Sequence, residues 1–261
     1  MPPLTDRTII RTLLETERAW TAYALADLQP EFYEQTSWFC ATGESPALAL
    51  VYTAFVTPTL ITVGEIHGLR ALLHEIDTDM NLSELYAMVR PEIIPLLTER
   101  YDLTQVKVMH RMVVDPAEFR PGVTTTAIRL GLNDLSTVQR LYADGESSGE
   151  APAWFLPDML SQGVYYGVRE GEELVAVAGT HVIAQQEGVG CIGNIYTRCD
   201  RRGRGLSTCV TSAVTAALVS MRLPTIVLNV RADNAPAIRV YERLGFQHYC
   251  PFIEAVAQKR R

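Results

Sequence analysis

The feature that most constrains the fold is a strand-like run that leads through a glycine-rich turn into a helix, at residues 194–207. The stretch reads NIYTRCDRRGRGLS and contains two glycines, Gly203 and Gly205, and four arginines. Beyond it, apolar residues recur at the three- and four-residue intervals of a helix that lies on a sheet, namely Leu206, Val210, Ala213, Val214, Ala217, Leu218 and Met221. The sequence therefore predicts a strand, a glycine-rich turn and a helix in this order.

This order of elements favours an anion site at the start of the helix. The first N–H groups of a helix have no intrahelical partner and carry the positive end of its dipole. Gly203 and Gly205 lack a Cβ, can adopt positive φ and let a ligand approach the main chain. Each charge-assisted hydrogen bond there contributes roughly 1.5–3 kcal/mol. The alternative is an ordinary left-handed turn beside a solvated basic face, because a glycine-rich turn alone is a weak signal.

A second motif follows about thirty residues further along the chain. Residues 225–230 are rich in β-branched side chains and predict a strand. Asn234 is then expected to cap a helix over residues 235–244, with Pro236 in its first turn. Gly245 is expected to end that helix, and Phe246 opens a further short β-prone run.

Together the two motifs resemble the nucleotide-binding half of the GCN5-related N-acetyltransferase (GNAT) superfamily, and most closely its FR47-like group. Residues 202–207 match the Q/R-x-x-G-x-G/A turn of the superfamily except at Ser207, where the family has glycine or alanine. The N-x-x-A-x-x-x-Y-x-x-x-G-F helix is matched at every position, by Asn234, Ala237, Tyr241, Gly245 and Phe246. The resemblance runs from about residue 124 to the C-terminus and covers about half of the chain.

The resemblance implies an α/β (α+β) chain with the GNAT fold, whose central mixed, mostly antiparallel sheet is flanked by helices. Prolines and a glycine at residues 115–122 predict a boundary. We therefore expect an N-terminal α/β domain at residues 1–118 and a catalytic GNAT domain at residues 119–261. The first half is either a degenerate GNAT-like copy that has lost its ligand turn or an unrelated α/β cap. In both cases it should help to shape the acceptor pocket.

Hydrophobic periodicity predicts the remaining elements. In the first half we expect a long amphipathic helix at residues 5–28, capped by Thr5 or Asp6, and further helices at residues 66–76 and 93–100. The strands of that half are predicted at residues 36–41, 47–55, 59–63, 84–89 and 106–114. The second half should have a helix at residues 132–142, a polar loop at 144–150, and strands at residues 124–130, 164–168, 174–183 and 189–197.

Cofactor contacts follow from the resemblance. In the family, the strand before the glycine turn is splayed from its neighbour, and its free amides hold the pantetheine arm and the acyl oxygen of acetyl-CoA. The matching residues are Ile195, Tyr196 and Thr197, and the alternative for them is a plain core strand. The pyrophosphate is expected on the turn and the first helical residues, namely Arg202, Gly203, Arg204, Gly205, Leu206, Ser207 and Thr208. Asn234 should serve both as a helix cap and as a cofactor contact.

Proton transfers need a donor and an acceptor. Tyr241 lies two helical turns after Asn234, on the same side of the helix. The resemblance implies that it is the general acid for the departing thiolate, or at least a hydrogen-bond donor to the sulfur. The alternative is a buried tyrosine with a satisfied hydroxyl.

The general base is less clearly indicated. A lysine-like amine has a pKa near ~10.4, so deprotonating it at pH 7 costs roughly 4–5 kcal/mol. Many relatives use a glutamate on the strand that here carries Asn194, but residues 190–197 contain no carboxylate. His181 is a candidate base, and the alternative for it is a structural histidine. A water chain to a carboxylate of the N-terminal half, or a weakly basic amine that needs little help, also remains open.

These residues indicate an acetyl-CoA-dependent N-acetyltransferase that acts directly on a primary amine of a small molecule or peptide. A non-catalytic acyl-CoA-binding sensor or scaffold is the alternative, motivated by the absent glutamate and by Ser207. A protein N-terminal or lysine acetyltransferase is a further alternative. The acceptor itself is not indicated.

Composition limits the partners. The net charge of −7 argues against nucleic acid as a partner. No apolar run reaches membrane-spanning length, and the N-terminus does not have the pattern of a signal peptide. The five cysteines show no C-x-x-C pair, which is typical of reduced thiols in a cytoplasmic protein. The five histidines lack metal-ligand spacing, so we expect no metal. A monomer or homodimer is expected.

Overall fold

The computed structural model describes residues 3–123, 126–146, 150–152 and 154–260. The chain divides into two compact units. The first comprises residues 1–111, 231–233 and 249–261, and the second comprises residues 112–230 and 234–248. The first unit therefore includes the C-terminal residues of the chain. The boundary predicted between residues 118 and 119 stays a prediction.

Helices and strands are interspersed along the described chain. The helices are α1 (Arg7–Glu15), α2 (Ala22–Ala26), α3 (Pro30–Tyr33), α4 (Ile66–Asp79), α5 (Ile94–Thr98), α6 (Leu135–Glu146), α7 (Asp158–Gln162), α8 (Leu206–Ser220) and α9 (Ala235–Arg243). The strands are β1 (Thr36–Ala41), β2 (Ala47–Tyr52), β3 (Thr59–Gly64), β4 (Glu84–Val89), β5 (Tyr101–Val114), β6 (Ile128–Arg129), β7 (Tyr166–Glu170), β8 (Glu173–Ala184), β9 (Val189–Thr197), β10 (Thr225–Arg231) and β11 (Gln247–Lys259).

The first unit has the strand order β1-β2-β3-β4-β11-β5. Neighbouring strands pair antiparallel in β1–β2, β2–β3 and β4–β11, whereas β3 and β4 run parallel and are joined through α4. Its core lies where α4 and α5 cover the strands, and includes Leu60, Leu69, Leu72, Leu85 and Leu97. Burial of these side chains is the main favourable term for this unit.

The second unit has the strand order β10-β9-β8-β7-β6. Here β6–β7, β7–β8 and β8–β9 are antiparallel, and β9–β10 is a parallel pair joined through α8. One core contains residues of α8 and α9, among them Val210, Val214 and Tyr241. A second core contains residues of α6 and α7 together with Tyr165 and Tyr196. The predicted α/β architecture with a mostly antiparallel sheet is confirmed in the pairings of both units.

The predicted helix at residues 5–28 is wrong, because two shorter helices replace it. Asp6 caps α1 as expected, since its side chain accepts from the N–H groups of Thr8 and Ile9. The helix ends at Glu15 because side-chain hydroxyls take its last carbonyl groups. Thr16 Oγ1 donates to Leu13 O at 2.7 Å, and buried Thr21 Oγ1 donates to Leu14 O at 2.7 Å. Hydroxyls that compete in this way for main-chain acceptors favour helix ends over helix interiors.

Several other predicted elements have different bounds in the structure, among them one strand and one loop of the second half. The strand predicted at residues 124–130 is present only as the two residues of β6, and Thr124 and Thr125 lie outside the described residues. The loop predicted at residues 144–150 begins later, because α6 continues to Glu146; residues 147–149 lie outside the described part. In the described part of the chain, no helix has both the length and the apolar character that crossing a bilayer requires.

Candidate functional site

The glycine turn at the start of α8 is open. Gly205 is the N-cap of α8 with φ +76°, and no side chain caps the helix there. Gly203 has φ +77°. A Cβ built on either glycine would meet no atom within 4 Å. Both glycines thus adopt the positive φ that the sequence allows, and the turn leaves space beside the first N–H groups of a long helix, where an anion is stabilised.

The arginines of the turn are ion-paired and exposed. Arg202 Nη2 lies 2.6 Å from Glu150 Oε2, and Arg204 Nη1 lies 2.7 Å from Glu170 Oε1. Their side chains are 43% and 54% exposed. Each of these charges already has a carboxylate partner, and an exposed pair of this kind contributes only about 0–1 kcal/mol. The main-chain N–H groups are therefore the stronger candidates for binding an anion.

Strands β9 and β10 diverge beside this turn. Their parallel pairing runs from Val189 opposite Thr225 to Ile192 opposite Leu228 and stops there, although both strands continue. Asn194 has φ +53°, which is uncommon for a residue other than glycine and marks an irregularity in β9. An opening therefore begins at residue 193, as the splay implied by the resemblance requires.

The pairing of β9 with β8 determines which amides face the opening. Arg198 N donates to Val175 O at 3.0 Å, and Tyr196 lies opposite Val177. Because N–H directions alternate along an antiparallel strand, Tyr196 directs its N–H toward β8, whereas Ile195 and Thr197 direct theirs away from it. Thr197 O accepts from Arg202 Nε at 3.2 Å on that outer side, consistent with this direction.

Within the described residues, one side-chain oxygen on each diverging strand is buried without a hydrogen-bond partner. Thr197 Oγ1 and Asn229 Oδ1 are both buried, and neither forms a hydrogen bond within the described residues. Asn229 follows directly after Leu228, the last residue of β10 that pairs with β9. The sequence analysis missed Asn229. The available signal was a single amide side chain in the otherwise apolar run at residues 226–230.

Asn234 and Tyr241 lie on α9. Asn234 Oδ1 accepts from Ala237 N at 3.2 Å, which confirms it as the helix cap. Tyr241 is 5% exposed, and its ring centroid lies 6.2 Å from that of Phe246. No group among the described residues hydrogen-bonds the Tyr241 hydroxyl, so the alternative of a satisfied structural hydroxyl gains no support there. Burial raises the pKa of Tyr241, which keeps the hydroxyl protonated as a donor.

His181 belongs to a network centred on Asn194. His181 Nε2 lies 3.2 Å from Asn194 Oδ1, and Asn194 Nδ2 donates to the Tyr165 hydroxyl at 2.8 Å. Tyr165 in turn donates to Thr180 O at 3.2 Å. Tyr142 donates to Asn194 O at 2.8 Å. The structure thus joins His181 to the irregular residue of β9, and it adds two tyrosines that the sequence analysis did not single out.

The ring of His181 lies across Gly193. A Cβ built on Gly193 would be 2.2 Å from His181 Nε2, so any larger residue there would displace the imidazole. Trp154 contacts the ring edge-on, with centroids 5.6 Å apart. Because Gly193 is where β9 and β10 begin to diverge, the imidazole lies next to the opening.

The first unit has a corresponding turn between β3 and α4, and that turn is closed. Gly64 has φ +108°, and a Cβ built there would lie 2.4 Å from Pro46 O. Glu65 N donates to the same carbonyl at 2.9 Å. A Cβ on Gly68 would lie 2.2 Å from Ser45 O. Main chain therefore occupies the place that is open at Gly203 and Gly205, consistent with a first half that has lost its ligand turn.

Two other features do not coincide with the predicted site residues. A pocket of about 470 Å³ in the first unit is lined by residues 105–108 and 231–233, none of which the sequence analysis selected. Within the described residues, no three side chains of the metal-ligating types are grouped closely enough to hold a metal ion.

Comparison with known families and sequences gives consistent matches. Residues 165–253 match the model of the family described as FR47-like protein. Among curated proteins, a mycothiol acetyltransferase of a Nocardioides species is 31% identical over 149 residues, covering 49% of this chain and 50% of the relative. The mycothiol acetyltransferase of Streptomyces avermitilis is 39% identical over 97 residues, covering 37% of this chain and 30% of the relative. The chain thus spans half the length or less of these relatives.

Solved structures match over almost the whole chain at low identity. A putative GNAT-family acetyltransferase from Novosphingobium aromaticivorans has a TM-score of 0.61 at 20% identity and covers 91% of this chain and 96% of its own. A GCN5-related N-acetyltransferase from Kribbella flavida has a TM-score of 0.62 at 14% identity, with coverages of 92% and 96%. A tandem GNAT protein from the clavulanic acid biosynthesis pathway has a TM-score of 0.57 at 13% identity, with coverages of 100% and 98%. These likenesses concern the fold.

Proposed function

Because residues 165–253 belong to the FR47-like group of the GNAT superfamily, we propose that this protein is an acetyl-CoA-dependent N-acetyltransferase. It transfers the acetyl group directly to a primary amine of a small molecule or peptide. The observation that carries the proposal is the open turn at Gly203 and Gly205, which stands at the end of β9 where that strand has parted from β10. An anion site and an adjoining strand edge that has parted from its neighbour suit a phosphate-bearing ligand with a long amide arm.

The proposed binding residues act mainly through their main chain. The N–H groups of residues 203–208 receive the pyrophosphate, and Arg202 and Arg204 add charge around it. Ile195 and Thr197 present their N–H groups to the amide arm, because their amides face away from β8. Tyr196 positions this segment, since its hydroxyl donates to Asp144 Oδ2 at 3.0 Å. Asn234 contributes as the cap of α9 and as a further cofactor contact.

In the transfer step, acetyl-CoA supplies the acetyl group as a thioester. The amine nitrogen forms a bond to the carbonyl carbon while the carbon–sulfur bond breaks and its electron pair stays on sulfur. Tyr241 donates a hydrogen bond to that sulfur. Because burial raises its pKa, the phenol holds its proton more tightly than a free phenol does, and stabilisation of the thiolate by a hydrogen bond is favoured over complete proton loss. The N–H groups of β9 stabilise the negative charge that grows on the carbonyl oxygen.

His181 is the proposed acceptor of the amine proton. Asn194 Nδ2 donates to Tyr165, so Asn194 Oδ1 is the atom turned to the imidazole and accepts from His181 Nε2–H. A neutral imidazole with its proton on Nε2 carries its basic lone pair on Nδ1. The network thus selects Nδ1 as the basic atom, with Asn194 in the orienting role that a carboxylate has in other sites.

The test of His181 uses acceptors of different basicity. His181→Ala should lower kcat/KM strongly for an alkylamine and weakly for an aromatic amine that is already neutral at pH 7. It should also remove the limb of the pH–rate profile that reports the base. Asn194→Ala should weaken the same limb, because the tautomer is no longer selected. Equal losses for both amines would assign His181 a structural role.

The activity itself is tested by measuring the release of CoA from acetyl-CoA in the presence of candidate acceptors. These are amines, amino acids, peptides and the acceptor substrate of the mycothiol acetyltransferases. Mass spectrometry of a lysate treated with the protein and labelled acetyl-CoA tests whether protein N-termini or lysines become acetylated. Saturable acetyl-CoA binding without release against any acceptor would favour the non-catalytic sensor or scaffold. Absence of binding to CoA or its thioesters would overturn both.

A further inference from the structure

Buried polar atoms without a partner collect around one tryptophan of the first unit. Within the described residues, Thr62 Oγ1, Arg90 Nε, and both Nε and Nη1 of Arg111 are buried without a hydrogen bond. All three residues adjoin Trp20. Its indole N–H donates to Thr62 O at 2.8 Å, and the guanidinium carbons of Arg90 and Arg111 lie 5.0 and 5.4 Å from its ring centroid. Native proteins rarely leave such atoms unsatisfied, and a water molecule or ion is the usual partner.

Arg111 is the residue of this cluster for which the lack of a hydrogen-bond acceptor is most costly. It is 1% exposed, and an arginine side chain stays charged in a protein. The rings of Trp20, Tyr23 and Phe252 surround it, with centroids 5.4, 4.9 and 5.6 Å from its guanidinium carbon. Ring faces attract the positive charge but do not satisfy the N–H groups as an oxygen would. Among the described residues, no carboxylate forms an ion pair with Arg111.

Among the described residues, neither of the nearby carboxylates, Glu17 and Glu92, pairs with Arg111. Arg90 Nη2 is ion-paired with Glu17. Burial raises the pKa of the Cys250 thiol, whereas the charges of Arg90 and Arg111 both lower it. The two cations therefore both lie close to Cys250. Glu92, which also acts on Cys250, is exposed to solvent. The unbalanced positive charge of this cluster therefore lies on Arg111.

We propose that this cluster is a binding site for a small oxyanion, which accepts hydrogen bonds from the Arg111 guanidinium with Thr62 and Arg90 as neighbouring donors. The oxyanion is a carboxylate of a small molecule or inorganic phosphate, since both present the acceptor oxygens that guanidinium groups bind best. Coenzyme A does not suit the first unit, because the turn at Gly64 is closed by main chain. The site is independent of the acetyl-transfer proposal, whose residues all belong to the second unit.

Trp20 provides a local readout for the test. The chain has three tryptophans, so a protein with Trp38→Phe and Trp154→Phe retains Trp20 alone. Its fluorescence is titrated with sodium phosphate and with sodium acetate, against sodium chloride at equal ionic strength. We expect a saturable change in fluorescence with phosphate or acetate and none with chloride. The anion that gives this change shows whether the site binds phosphate or a carboxylate. Thr62→Val, which removes the hydroxyl at nearly constant volume, should raise the dissociation constant several-fold.

Arg111→Met in the same background should abolish the response, and Arg111→Lys should retain a weakened one. If Arg111→Met does not fold, the Thr62→Val and Arg111→Lys titrations decide the question. No saturable response to either anion would mean that water alone fills the place, and would overturn the proposal. An unchanged response in both variants that do fold would overturn it equally. Thr62→Val and Arg111→Lys should leave the acetyl-CoA affinity, measured without added phosphate or acetate, unchanged, so failure here is distinct from failure of the transferase proposal.

Discussion

Single residues at the start of α8 contribute unequally to anion binding. The two glycines allow the left-handed turn that exposes the first N–H groups, whereas the arginine side chains are exposed and already paired with Glu150 and Glu170. Main-chain geometry should therefore matter more than any one arginine. Single substitutions at the glycines and at the arginines can measure this difference in anion binding.

Gly205→Val should weaken acetyl-CoA binding more than Arg204→Ala. Valine is strained at φ +76° by roughly 1–3 kcal/mol although space is available, so relieving the strain closes or distorts the turn. The loss of an exposed ion-paired arginine should change the affinity by about 1 kcal/mol or less. Titration calorimetry with acetyl-CoA measures both, and the reverse order would contradict the main-chain site.

Tyr241→Phe should reduce turnover and leave cofactor affinity nearly unchanged. The ring packs in the core of the second unit, and phenylalanine preserves that packing. A lost hydrogen bond to a charged sulfur corresponds to roughly 1.5–3 kcal/mol, or about 10- to 160-fold in kcat. Steady-state kinetics and calorimetry separate the two quantities. Unchanged kcat would assign the stabilisation of the departing sulfur to another group.

Asp27 should make stability depend on pH. It ends α2, and burial raises its pKa to about 8 from an ordinary value of 3.8. Between these values the folded state holds a proton that the unfolded state has released, so the free energy of unfolding falls as pH rises toward 8 and levels off above it. The slope is at most about 1.4 kcal/mol per pH unit.

Asp27→Asn should flatten this dependence and raise stability at pH 8, because the amide has no proton to lose. Urea unfolding at several pH values between 4 and 8 measures the effect in both proteins. The same slope in the variant would show that other groups produce it.

At the scale of elements, the site depends on how β8 and β9 fit around glycine. Gly193 lies under the His181 ring, and a Cβ on Gly179 would lie 2.1 Å from the Tyr165 ring. The two glycines let a histidine and a tyrosine lie flat on the strands beside the irregular Asn194. The fit of these side chains holds the network that selects the His181 tautomer.

Gly193→Ala should therefore lower turnover by displacing the imidazole, with acetyl-CoA affinity preserved because the turn at Gly205 is untouched. Gly131→Ala is the matched control, since Gly131 has φ −142° and a Cβ there would meet no atom within 4 Å. The measurement is the kcat of each variant with an alkylamine acceptor, compared with that of the wild type. Equal activity of both variants would count against a catalytic His181.

Local signals sufficed for some elements and not for others. Strands β1, β4 and β9 have the predicted bounds, because β-branched and apolar residues are bounded there by clear breaks. The break after Glu15 depends on hydroxyls whose acceptors become evident only in the folded chain. The sequence predicted the glycine turn because the spacing of glycines is a local signal. Asn229 and Tyr165 are brought to the site by strand pairing, which hydrophobic periodicity does not predict.

At the scale of the whole molecule, the chain returns to its first unit at the end. The sequence predicted only a short β-prone run after Gly245, but β11 is 13 residues long, and its residues from 249 onward belong to the first unit. It lies between β4 and β5 in the strand order, with Ile253 opposite Val89. An interior strand of this kind cannot be removed without exposing the strands on either side.

A fragment of residues 1–118 should therefore fail to fold, although it includes the whole predicted N-terminal domain. It lacks β11, so β4 loses the partner that pairs with it from Glu84 to Val89, and the buried side chains of Phe252, Ala255 and Ala257 are missing from its core. The matched control joins residues 1–111 to residues 249–261 through a flexible linker and restores that strand. Circular dichroism and urea unfolding should show a cooperative transition for the joined chain and none for residues 1–118. Cooperative unfolding of the short fragment would mean that β11 is dispensable and that the boundary at residue 118 delimits an independent domain.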